Sequence, residues 1–249
     1  MKDKITLNSD AVQLRKKWGQ DPEAPVDIFA IAELQENITV ASLVMPETIS
    51  GVCIKDDTSI VIGINSDMSW GRQRYTLAHE LYHGYFEEGK TCICEKNFDG
   101  RKPDSERNAD RFASYFLIPY EALTQYSREK INGNWTCDDV ILAEQFFQIS
   151  HQALLIRLLE DKEIERKQYD DFCRTPVISK SMSMGFNTSL YRKSRDEDRY
   201  NCNGEYIRKI EIASKEGIIG AGKKKELLLD GFCVENSSID ASEDFVGDD

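Results

Sequence analysis

The stretch Thr76-Leu77-Ala78-His79-Glu80-Leu81-Tyr82-His83 holds two histidines four residues apart, with a glutamate directly after the first. On a helix, residues four apart lie on one face. His79 and His83 can therefore present two imidazoles to one metal ion. Glu80, one position round, stands where a general base for a metal-bound water belongs. The chain has three histidines, so this pairing uses two of them. A catalytic zinc usually takes three protein ligands and keeps one position open. The other histidine, His151, is remote in sequence, so the third ligand is expected to be a carboxylate.

The carboxylate is sought in Ser105–Pro119. Ala109, Phe112, Ala113, Phe116 and Leu117 recur there at helical spacing and mark a buried face. Glu106 and Asp110, four apart, share a face beside it. Glu106 is the candidate third ligand. Asp110 is the candidate acceptor for the second ring N–H of a ligand histidine, the kind of outer carboxylate that fixes an imidazole's tautomer and orientation. Read alone, the two acids would be solvated and balanced by Arg107 and Arg111. Their place downstream of H-E-x-x-H reverses that preference.

The run from Arg72 to His83 resembles the ImmA/IrrE-type metallopeptidases. So do Glu106-x-x-Ala-Asp-x-Phe-Ala with the following Phe116-Leu-Ile-Pro119, the upstream Pro25-Val-Asp-Ile-Phe-Ala-Ile-Ala32, and Ile62-Gly-Ile-Asn65. The likeness covers about residues 10 to 160. It implies a gluzincin-like site with His79, His83 and Glu106 as ligands and Glu80 as base. It further implies cleavage of a helix-turn-helix transcriptional repressor of a mobile element or stress locus. Tyr82 stands where that family often has Gly, and Asp110 where it often has Asn. Zinc is the expected ion, with manganese or iron compatible with the same donors.

Around these residues the pattern predicts an α+β fold: a small antiparallel sheet packed on the site helix, then a helical bundle. Helices are expected over about Ser9–Trp18, with Val12, Leu14 and Trp18 inward, and over Val26–Gln35, with Pro25 near the start of the second. A strand follows over Asn37–Val44, then a hairpin of residues 50–55 and 58–65 turning at Asp56-Asp57, then the site helix over Trp70–Glu87. The strand 58–65 is either an edge that aligns a substrate backbone or an ordinary core strand. Cys92-Ile-Cys94 reads as buried apolar residues rather than ligands, and 95–104 as a polar loop. Helices at 137–148 and 152–159 look like a helix-turn-helix. With one Arg followed by Glu160 and Asp161, they suit packing or partner docking better than DNA. His151 reads as a polar helix start. Tyr82, Tyr85 and Tyr115 are the nearby candidates for an oxyanion helper, with nothing to select one.

The expected organisation is a peptidase domain at 1–119, a helical subdomain at 120–161, a helical and irregular extension at 162–234 and a flexible acidic tail at 235–249. That tail carries six acidic residues and no basic one. A net charge of −12 disfavours non-specific binding to nucleic acid or anionic membranes. No apolar run reaches membrane-spanning length and the N-terminus has no apolar secretory core, so a cytoplasmic protein is expected. Seven irregularly spaced cysteines suit reduced thiols. The reading is a zinc endopeptidase. The alternative is a non-catalytic regulator, or a toxin–antitoxin component, that binds a repressor without cutting it.

Overall fold

The computed structural model describes residues 2–89, 91–95 and 102–232. The acidic tail, most of the polar loop at 95–104 and the side chains of Cys92 and Cys94 lie outside the described residues. Helix α1 (Lys4–Lys17) starts before the expected Ser9, because Asp3 caps it through the Thr6 amide. Leu7, Ala11, Leu14 and Trp18 point inward while Val12 is only half-buried. Helix α2 (Ile28–Glu33) is shorter than expected, since Asp27 rather than Pro25 sets its start.

Strands β1 (Ile38–Leu43), β2 (Ile49–Lys55) and β3 (Ile60–Asn65) lead into helix α3 (Trp70–Phe86), followed by β4 (Thr91–Glu95) and helix α4 (Asp104–Leu117). Helices α5 (Tyr120–Lys130), α6 (Cys137–Phe147), α7 (His151–Glu160), α8 (Arg166–Phe172) and α9 (Val177–Ser183) precede β5 (Asn201–Gly204), α10 (Glu205–Lys215) and α11 (Ala221–Phe232). The chain is α+β. Its sheet has the order β4-β2-β3-β1-β5.

The β2–β3 hairpin is antiparallel, as its alternation suggested, and Asp56 shapes its turn by accepting from the Thr58 and Ser59 amides. The sheet as a whole is mixed rather than antiparallel, because β1 pairs β3 in parallel. Residues 44–48 carry the chain past the β3 position, and the hairpin then returns β3 alongside β1. Asn65 holds that crossing with its side-chain amide on the carbonyls of Met45 and Ile49, at 3.2 and 2.8 Å. β3 is thus hydrogen-bonded on both sides. It is a core strand with Ile60, Ile62 and Ile64 buried, and it has no open edge for a substrate backbone.

Residues 162–203 are more regular than their sequence suggested. They form α8 and α9 and then β5, which pairs antiparallel with β1. The same region clamps the start of α3. Ser69 caps that helix with no side-chain bond. Instead the Trp70 amide donates to the Arg192 carbonyl at 2.7 Å, Gln73 donates to the Ser194 hydroxyl at 3.0 Å, and Ser66 donates to the Arg199 carbonyl at 2.8 Å.

Helices α6 and α7 make the expected helix-turn-helix-like pair. Thr136 and Asp139 form a capping box on α6, Gln148 turns the chain at φ 55°, and Ser150 caps α7. Leu154, Leu155 and Leu158 join one continuous core that reaches from Leu7 to Ile164. The exposed line of α7 is Gln152, Ile156 and Glu160, which offers no cation to a phosphate backbone. Among the described residues, no helix is long and apolar enough to cross a membrane.

His151 starts α7 and ties the pair together. Its Nδ1 lies 2.5 Å from the buried Glu144 carboxylate on α6, and its Nε2 lies 3.0 Å from the Phe172 carbonyl of α8. Tyr191 donates to the other Glu144 oxygen at 2.8 Å. Both ring nitrogens face oxygen atoms, an arrangement that favours an imidazolium paired with a carboxylate. Burial opposes that charge, but the Glu144 bond and charge outweigh it and raise the His151 pKa. A histidine raised in the folded state stabilises below its unfolded pKa and loses that contribution as pH rises through the folded value. His151→Gln should therefore be less stable than wild type by about 1–2 kcal/mol near pH 6. In thermal melts followed to about pH 9 that gap should shrink. A gap that stays constant would refute the charged pairing.

Candidate metal centre

α3 is buried round most of its circumference, from Gly71 to Gly84, because the sheet covers one side and α4 the other. Gly84 permits the sheet contact, since a Cβ there would stand 3.2 Å from Ile60. On the α4 side, Tyr82 and Phe86 pack on Phe112 with ring centroids 5.5 and 5.1 Å away, and Phe116 extends the cluster. Lys55 of β2 finishes α3 by donating to the carbonyls of His83, at 2.9 Å, of Gly84, at 3.0 Å, and of Glu87. A cation at this end also suits the helix dipole.

The α3–α4 contact brings His79, His83 and Glu106 together, all three buried. His79 Nε2 lies 3.3 Å from Glu106 Oε2, His83 Nε2 lies 3.4 Å from Glu106 Oε1, and the two Nε2 atoms are 3.2 Å apart. A tetrahedral ion with bonds near 2.0–2.1 Å requires donors about 3.3 Å apart. The residues present fit a zinc-type ion.

The remaining ring nitrogens are both held by carboxylates. His79 Nδ1 is 3.0 Å from Asp110 Oδ1, and His83 Nδ1 is 2.6 Å from Glu87 Oε2. As Nδ1–H donors to carboxylates, both rings turn an Nε2 lone pair toward Glu106. Asp110 is itself fixed by Lys102 at 2.6 Å, and Tyr75 donates to its backbone carbonyl at 2.7 Å.

Two lone pairs at 3.2 Å repel unless a cation, a metal ion or a proton, lies between them. Burial opposes charge on His79, yet hydrogen bonds to Asp110 and Glu106 and the Glu80 charge push its pKa up to about 9. Burial would raise the Glu106 carboxyl, but hydrogen bonds from both histidines and their charge hold it well below the carboxylate range. Asp110 is likewise lowered, its burial outweighed by His79 and Lys102. The donor set is built to hold positive charge.

Glu80 is 0 % exposed and faces β2. A Cβ on Gly51 would stand 2.7 Å from Glu80 Oε1 and equally close to Thr76 Cγ2, so the bare glycine makes room for the carboxylate. Gly51, Glu87 and Lys55 were missed in the sequence. Only Glu87 left a signal there, four residues after His83. The three tyrosines weighed as oxyanion helpers pack into the fold: Tyr82 in the aromatic cluster, Tyr85 edge-on to Trp18, and Tyr115 beneath the Arg157 guanidinium at 4.2 Å. His151 is held by Glu144 instead of joining the cluster.

A family model described as the IrrE N-terminal-like domain, peptidase M78, matches residues 33–159, just over half of the chain. It spans β1 to α7 and so includes the whole cluster. No curated protein matches the chain.

Purified protein is expected to hold about one zinc-type ion per chain, read by elemental analysis. Asp110→Ala should weaken zinc affinity by about 10- to 100-fold, since it only orients a ligand. Glu106→Ala should weaken it more. Competition titrations against a chromogenic chelator read both, and the reverse ranking would show that the third ligand is misassigned.

Proposed function

The chain belongs to the IrrE N-terminal-like family of metallopeptidases, and from that premise we propose a zinc-dependent endopeptidase that cuts one specific protein substrate. The observation that carries the reading is the buried convergence of the two Nε2 atoms and the Glu106 carboxylate at 3.2–3.4 Å, with Glu80 one position round the helix and buried against Gly51.

When bound, the ion would supply Lewis acidity to the scissile carbonyl and to water. Glu106 and the two imidazoles would hold it, and Asp110 and Glu87 would keep the imidazoles in the tautomer that binds. Glu80 is the general base: it takes the proton from the attacking water and returns it to the leaving amine nitrogen. Its buried place against Gly51 limits its rotamers and keeps bulk water from competing for that proton. Glu80 itself ligates nothing in this scheme, so its removal separates chemistry from metal retention.

The proposed substrate is a helix-turn-helix repressor encoded near the peptidase, as the resemblance of residues 10 to 160 implies. Narrow choice of substrate fits a site whose groups are nearly all buried. The non-catalytic alternative has the same fold binding a repressor without cleavage.

Wild type and Glu80→Gln are to be incubated with the neighbouring repressor and read by mass spectrometry. Wild type should make one discrete cut. Glu80→Gln should lose about 10²- to 10⁴-fold in rate while keeping its metal. Stable complexes with both proteins and no cut would favour the non-catalytic regulator. Rapid digestion of casein would count against narrow specificity.

A further inference from the structure

Behind Asp110 lies a cavity of about 450 Å³ between α3, α4 and α7. In a chain of net charge −12 its lining is cationic: Arg72, Lys102, Arg107, Arg111 and Arg157 against Asp110 and Glu160. Part of that charge is balanced within the fold. Lys102 pairs with Asp110 and Arg107 with Asp104, each at 2.6 Å, Arg111 lies 3.6 Å from Glu160, and Arg157 pairs with Asp161.

What remains is directional. Arg72 Nε, Arg107 Nε and Arg157 Nη2 are buried donors without a hydrogen-bond partner, and all three belong to this one lining. Arg157 is 97 % buried by its 3 % exposure. Arg72 has no acidic partner among the described residues, and its Nη2 donates to the Ser50 hydroxyl at 3.5 Å. Buried donors without acceptors are costly, and guanidinium groups suit carboxylates in forked geometry.

The cavity also has a fixed relation to the metal centre. Asp110, whose Oδ1 lies 3.0 Å from His79 Nδ1, also lines the cavity. From Arg72 to His79 the helix rises about 10 Å, the span of about three extended residues. Ser50, which Arg72 reaches, adjoins the Gly51 that accommodates Glu80. An extended peptide with its scissile bond at the metal would therefore pass a side chain about three residues away into this lining.

We propose that this cavity is a specificity subsite for an acidic side chain of the peptide substrate, with Arg72 and Arg107 as its recognising groups. The assignment rests on the peptidase reading for its purpose, but binding tests it without any cleavage. Two fluorescein-labelled decapeptides are used as probes, an Ala/Ser scaffold carrying two central Glu residues and the same scaffold carrying Gln, with fluorescence polarisation as readout. Wild type should prefer the Glu peptide by about tenfold or more. Arg72→Gln and Arg107→Gln should each cut that preference to about threefold or less, with unchanged melting temperature. Arg72→Lys should keep part of it.

Equal binding of the two peptides, no binding of either at about 1 mM, or full discrimination in both Gln variants would overturn the proposal. So would displacement of the Glu peptide by about 1 mM inorganic phosphate, which would mark a small-anion site. If the Glu peptide binds selectively and no protein is ever cut, the subsite stands and the peptidase reading fails. If a protein is cut while acidic peptides gain nothing, the subsite fails alone.

Discussion

Two imidazole nitrogens face each other across 3.2 Å in a buried site, and a cation between them relieves the repulsion of their lone pairs. The rest of the architecture around α3 follows from that demand. The histidines come from one helix and the neutralising carboxylate from another, so the α3–α4 crossing must be fixed to within tenths of an ångström. The aromatic cluster of Tyr82, Phe86, Phe112 and Phe116 sets the spacing, since close-packed rings resist sliding. Burial then strengthens each electrostatic contact by excluding water. The same burial makes Asp110 and Glu87 necessary, because an imidazole with an unmet ring N–H would be poorly held there.

The candidate ligands and the helices that carry them were legible because helix periodicity is local. His79 and His83 share a face by spacing alone, and Glu106 lies beside a regular apolar stripe. The hairpin was legible too, from alternation broken at Asp56-Asp57. What could not be read depends on contacts far apart in the chain. β5, with the sequence Asn-Cys-Asn-Gly, has little strand propensity of its own and is a strand because β1 is there to pair with it. The parallel β1–β3 pairing is a matter of topology that no local pattern encodes.

Buried arginines were a further feature that the sequence did not disclose. Arg15 is 0 % exposed and donates to the carbonyls of Phe116, Asp21 and Ala24, tying α1 to the end of α4. Arg74 on α3 does similar work, reaching the carbonyls of Gln148 and Val26. In both, desolvation lowers the pKa to about 10, opposed by a nearby aspartate, Asp21 for Arg15 and Asp27 for Arg74. Backbone acceptors satisfying a guanidinium leave no trace in a residue pattern, since every residue carries a carbonyl. Gly51 is the same kind of case: its value is the atom it lacks.

The clamp on the first turn of α3 has a consequence for the order of events during translation. Gln73 finds its hydroxyl partner 121 residues later in the chain, at Ser194. A ribosome adding about 5–20 residues per second leaves the helix carrying His79, Glu80 and His83 without its anchor for roughly 6–24 s. During that interval β1 also has an open edge that β5 will later cover. The helix can form early, but its seat is completed only when the distal segment has emerged. A nascent chain thus holds the parts of the candidate metal centre before it holds a finished one, and the delay is written into the connectivity of the fold.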